Sequence, residues 1–153
     1  MKIKIKTMKK HVAAIAFISL LLNTVVATLL FYLETAFFVS KFSSLTERER
    51  LDYSNPIESL FAFAFGLMLV AYVIYYGVTS LSPKAFSNRT SKLVLGIIAG
   101  ISPVIILHLL SFGLSLKDLG TKMEILIMII SGCLIPTINS WLQTKFWNTD
   151  KAK

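Results

Sequence analysis

SLFAFAFGLMLVAYVIYYGVTSLSP, residues 59–83, runs for 25 positions without an aspartate, glutamate, lysine or arginine. About 20 apolar residues in a helix cross the hydrocarbon layer of a bilayer, so this stretch is long enough to span. Three more stretches share the property: residues 12–33, 93–116 and 125–144, of 22, 24 and 20 residues. A spanning strand would alternate polar and apolar side chains over about ten positions. These stretches do not alternate, so they are read as helices. The expected fold is an all-α membrane protein, a single domain over residues 1–153 built as an antiparallel bundle of four transmembrane helices.

Composition agrees. The 153 residues are 55% hydrophobic and only 16% charged, against about 45–50% and about 25% in soluble domains, and the mean hydropathy is +0.70. One compact soluble core of this size could not absorb so much apolar surface. The net charge of +8 sits beside the apolar stretches, without a basic stripe interleaved with exposed aromatics, so nucleic acid is not the expected partner. The single cysteine, Cys133, excludes an intramolecular disulfide and a cysteine-rich metal site. The first stretch follows Lys2, Lys4, Lys6, Lys9 and Lys10 as a signal peptide would, but its apolar part exceeds the usual 7–15 residues and no convincing cleavage site follows. It is expected to stay as an uncleaved first span.

Basic residues set the expected orientation. The N-terminal tail, the 84–92 segment and the C-terminal tail hold eleven lysines and arginines, whereas the 34–58 and 117–124 segments hold five, together with seven of the eight acids. Both termini and the middle loop are therefore expected in the cytoplasm. Tyr32, Trp141 and Trp147 fall at span ends, where interfacial aromatics belong. Asn55-Pro56-Ile57-Glu58 reads as the start of the second helix, Thr121-x-x-Glu124 as a capping box opening the fourth, and Ser44-x-x-Glu47 as the start of a short interfacial helix. The few residues between the third and fourth spans predict a helical hairpin.

Gly96-x-x-x-Gly100, and more weakly Ala62-x-x-x-Gly66, place small residues four apart, a spacing that lets helix backbones approach closely in lipid. That approach serves either a partner's helix or packing within the bundle, and the second is preferred. Pro103 and Pro136 are expected to interrupt and bend the third and fourth helices. Asn23, His108 and Asn139 lie deep in their spans and are expected to face inward and bond across the bundle. His108 could be a proton or ligand site, but it has no intramembrane carboxylate beside it, and a structural imidazole is the preferred reading. No Cys-x-x-Cys, His-x-x-x-His, Gly-x-Ser-x-Gly or glycine-rich phosphate loop is present. Neither enzyme activity nor a cofactor or metal is expected. Asn88-Arg89-Thr90 fits the glycosylation pattern by chance, given its expected cytoplasmic place.

Two resemblances remain. Glu47-Arg48-Glu49-Arg50 ahead of Asn55-x-x-Glu58 resembles the loop after the first helix in the glutathione-utilising membrane enzymes (MAPEG), where cationic and amide groups hold an anionic thiol cofactor. The spacing differs and the third span lacks the arginine that family supplies, so capping suffices to explain Asn55 and Glu58. Tyr53-Ser54-Asn55-Pro56, Asn88-Arg89-Thr90, Ser102-Pro103 and Phe112-x-Leu114, over residues 53–140, resemble the immunity proteins of colicin A- and colicin N-type bacteriocins. That resemblance, the preferred one, implies a bacterial inner-membrane protein, often plasmid-encoded, that meets the toxin's inserted helical hairpin within the bilayer and stops channel opening. Asn55, Pro56, Ser102 and Pro103 match the pattern directly. Gly96, Gly100 and His108 join them as groups able to supply close packing or polar contact. A small transporter or an accessory subunit of a larger complex remains an alternative.

Overall fold

The computed structural model describes residues 2–41, 57–110 and 119–151. It contains four long helices: α1 (Lys2–Lys41), α2 (Ile57–Leu81), α3 (Arg89–Leu110) and α4 (Leu119–Lys151). Each carries an apolar segment long enough to cross a membrane: Val12–Phe37, Ile57–Leu81, Arg89–Leu107 and Lys122–Lys145. The chain is thus a multi-pass membrane protein with an all-α bundle. Helices are the natural answer to lipid, because each satisfies its own backbone groups where no water can.

The helices form a closed ring in chain order, with α1 against α2, α2 against α3, α3 against α4 and α4 back against α1. Neighbours run antiparallel. Ser19 meets Tyr72 near one end of the α1–α2 pair, and Phe31 meets Phe63 edge-on at 5.6 Å nearer the other. Alanines 27, 64, 71 and 99 are fully buried where the helices approach, and Met68, Met128 and Ile135 fill the space between them. Unbranched methionine adapts to the irregular gaps such crossings leave.

Several boundaries differ from the sequence-based expectation. Helix α1 does not stop at the first charged residue: Glu34 and Thr35 continue it, and the Thr35 hydroxyl donates to the Phe31 carbonyl at 2.9 Å. Helix α2 ends at Leu81, short of Pro83, which sits in a turn. Helix α4 begins at Leu119, so Thr121 lies inside it and not at a cap. Neither Pro103 nor Pro136 interrupts its helix; both α3 and α4 continue through. The start of α3 is instead capped by Asn88. Its Oδ1 accepts the Ser91 amide at 2.7 Å, and its carbonyl takes the Lys92 amide at 3.3 Å. That geometry satisfies an otherwise orphaned helical donor. The expected Ser44-x-x-Glu47 helix and the Tyr53-Ser54, Phe112 and Leu114 matches lie outside the described residues.

Candidate functional site

The tightest contact in the bundle joins α3 to α4. A β-carbon added to Gly96 would meet the Gly132 carbonyl oxygen and lie 3.0 Å from Pro136 Cδ; one added to Gly132 would meet the Gly96 oxygen in return. One added to Gly100 would meet the Met128 oxygen and come within 2.9 Å of Gly132 Cα. Pro136 has no amide hydrogen to offer the carbonyl four residues before it, which is that of Gly132. The oxygen freed in this way is the one lying against Gly96. The close approach permitted by Gly96 and Gly100 is therefore used within the chain.

Polar side chains collect along the bundle axis. Ser19 Oγ and the Tyr72 hydroxyl share a 2.6 Å hydrogen bond between α1 and α2. Asn23 Nδ2 donates to the Ser131 carbonyl at 2.8 Å, joining α1 to α4 as its depth predicted. Most other hydroxyls turn back on their own helices: Thr24 to Leu20, Thr28 to Thr24 and Thr137 to Cys133. This local bonding removes a polar group from lipid without committing it to a neighbour. Among the described residues, three buried side chains keep unpaired polar atoms: Asn23 at its Oδ1, Ser131 at its hydroxyl, and Asn139 at both ends of its amide. Asn139 is 6% exposed and interacts electrostatically with the neighbouring Tyr76 hydroxyl, but among the described residues no partner lies within hydrogen-bond distance of either atom of its amide.

Asn139 lines a cavity of about 640 Å³ between the end of α2, the start of α3 and residues 136–144 of α4. Tyr75, Tyr76, Arg89, Lys92 and Gln143 contribute to its wall, with Leu93 and Pro136 supplying apolar surface. Trp141 stands at the same level, with the Lys145 ammonium 4.9 Å from the centre of its ring. Among the described residues, no carboxylate lines the cavity. This cluster of polar and cationic groups was not anticipated from the sequence. Its members come from three helices, and only the capped start of α3 brings Arg89 and Lys92 opposite Asn139.

The sequence-predicted residues fall in different places. Gly96 and Gly100 are buried against α4. Pro103 is buried, while Ser102 is half-buried and its hydroxyl donates to the Ile98 carbonyl at 2.6 Å. His108 belongs to the described backbone of α3, but its side chain lies outside the described residues, as do Asn55 and Pro56 altogether. Of the residues that resemble the glutathione enzymes, Glu58 is exposed in the first turn of α2 and Arg48 and Arg50 are outside the described residues. Among the described residues, no group of three histidines, cysteines or acids is placed to hold a metal.

The second small-residue pair has the opposite disposition from the first. Ala62 and Gly66 face outward from α2, on the side carrying Leu69, Val70 and Val73, and nothing lies within 4 Å of a β-carbon added to Gly66. The α3 seam is filled, whereas the α2 seam is open. Comparison with protein-family models, curated proteins and solved structures found no match to the chain.

Proposed function

We propose that the chain is a bacteriocin immunity protein of the type that neutralises pore-forming colicins. In this reading it sits in the bacterial inner membrane with both termini and the 82–88 connection in the cytoplasm. The observation that supports it is the open seam on α2. Lipid tails give helices no hydrophobic drive to associate, so recognition within a bilayer depends on close backbone approach and polar contacts. Ala62 and Gly66 offer such an approach, flanked by the exposed rings of Phe61 and Phe63.

Depth favours the same partner. Ala62 and Gly66 stand five and nine residues beyond Ile57, about 8 and 14 Å along the helix axis. With the expected orientation, that is the outer half of the bilayer. A toxin hairpin inserting from the periplasm reaches this half first. The Ser102-Pro103 match belongs to α3, whose outward face at Val94, Ile98 and Ile105 is apolar and could extend the same lipid-facing contact.

Expression in a sensitive enterobacterial strain, challenged with a panel of pore-forming colicins, tests the proposal. Survival and retained potassium are expected with at least one toxin. The A62L/G66L double variant should lose that protection at an unchanged membrane level, while Leu126→Ile, on the exposed face of α4, should keep it. Killing by every toxin despite normal expression would reject the immunity reading; full protection by A62L/G66L would reject the α2 seam as its surface.

A further inference from the structure

We propose that the cavity formed by α2, α3 and α4 beside the 82–88 connection binds a phosphate-bearing anion, presented by the headgroup of an acidic membrane phospholipid. This inference is independent of the toxin reading, because it rests on another surface at the opposite end of α2.

The chemistry of the wall selects the ligand class. Arg89 and Lys92 bring two positive charges to the cavity, and among the described residues neither has an ion pair and no carboxylate stands in the lining to neutralise them. Two cations side by side repel a third and attract an anion. Asn139 adds an amide whose Nδ2 is buried beside Tyr76 with no acceptor within hydrogen-bond distance among the described residues. A buried polar group in that state is costly unless a partner reaches it. The cavity that Asn139 lines is the route by which a ligand oxygen could do so. The α3 N-terminus contributes as well. Asn88 occupies the Ser91 amide, while the amides of Arg89 and Thr90 precede the first intrahelical bonds and remain donors. Arginine, lysine, amide and helix terminus together form a donor set suited to phosphate oxygens, and arginine's planar fork can take two of them.

Size and depth favour a lipid as the source. A volume of about 640 Å³ falls within the range of roughly 300–1,000 Å³ typical of small-molecule sites. The cavity lies where α2 ends and α3 begins, beside Trp141 with its stacked Lys145. Such aromatic and basic pairs mark the headgroup level of a bilayer, and basic pockets between spans at this level suit anionic headgroups. Leu93 and Pro136 give the inner wall an apolar surface along which the first methylenes of an acyl chain can lie.

Trp141 in the lining provides a reporter. The full-length protein in neutral detergent would be titrated with dioctanoyl phosphatidylglycerol, dioctanoyl phosphatidylcholine and inorganic phosphate, following tryptophan fluorescence. Saturable binding of phosphatidylglycerol is expected, with phosphatidylcholine at least tenfold weaker. Arg89→Gln, Lys92→Gln and Asn139→Leu should each weaken it about tenfold, the weight of one charge-assisted hydrogen bond. Lys84→Gln removes an exposed charge of the same connection that does not line the cavity, and should change affinity less than twofold. Equal weakening by Lys84→Gln would show plain surface attraction and overturn the site, as would equal binding of phosphatidylcholine. Binding of inorganic phosphate with the same residue dependence, and none of the lipid, would overturn the lipid source.

Discussion

At the scale of single residues, two small-residue pairs with the same spacing in sequence have opposite roles. Gly96-x-x-x-Gly100 is buried against α4, whereas Ala62-x-x-x-Gly66 is open. The spacing was legible; the direction was not. A helix apolar all round has no solvent-facing stripe to show which side turns inward. What decides is the partner surface, here Gly132, whose role depends on tertiary contact. A β-carbon at Gly132 would come within 3.0 Å of the Gly96 carbonyl carbon and 3.2 Å of Ile97 Cα, both backbone atoms that cannot swing aside. Gly132→Ala should therefore destabilise the bundle by about 1–3 kcal/mol, the usual cost of overpacking. Gly66→Ala meets open space and should be neutral or slightly stabilising, because alanine is the better helix former. Reversible unfolding in mixed micelles by added dodecyl sulfate would separate the two. Equal stability of the variants would mean that the α3–α4 seam tolerates more separation than its geometry indicates.

At the scale of elements, the four helices were readable because each departs from water-soluble composition over 20 residues or more. Their ends were less so. Thr121-x-x-Glu124 has the form of a capping box, yet α4 already includes Leu119 and Gly120. The sequence Asn88-Arg89-Thr90 presents a glycosylation pattern, and the start of α3 carries no capping box to mark it, because Ser91 stands where the box has glutamate or glutamine. Only geometry distinguishes the cases, through the 2.7 Å bond from the Ser91 amide to Asn88 Oδ1. Asn88→Ala should cost about 1 kcal/mol of stability, in line with other N-caps, and loosen the first turn of α3. Thr121→Ala should cost less than half of that. Amide hydrogen exchange at residues 89–92 would report the loosening directly. Because this turn carries Arg89 and Lys92, Asn88→Ala should also weaken anion binding without removing any group from the cavity wall.

At the scale of the whole molecule, the closed ring settles which faces stay in contact with lipid. Hydropathy predicts the number of spans but not their order, since every span is apolar enough to occupy any place in a bundle. The ring follows from alanines and glycines at the crossings and from the Ser19–Tyr72 and Asn23–Ser131 hydrogen bonds. Both proposed surfaces then lie on α2, at opposite ends, so orientation connects them. If the 82–88 connection is cytoplasmic, the cationic cavity faces the cytoplasmic leaflet and the Ala62–Gly66 seam lies in the periplasmic half. If the chain is inverted, the seam moves away from the side on which a bacteriocin inserts, and the immunity reading loses its geometric support. Cys133, half-buried within α4, is the only native thiol and can be replaced by serine to clear the background. In that background, Ser87→Cys occupies an exposed position in the connection. A membrane-impermeant maleimide should leave it unlabelled in cells with a permeabilised outer membrane and label it in inverted inner-membrane vesicles. Labelling in the cells would reverse the topology, and with it the argument that the α2 seam waits on the toxin's side.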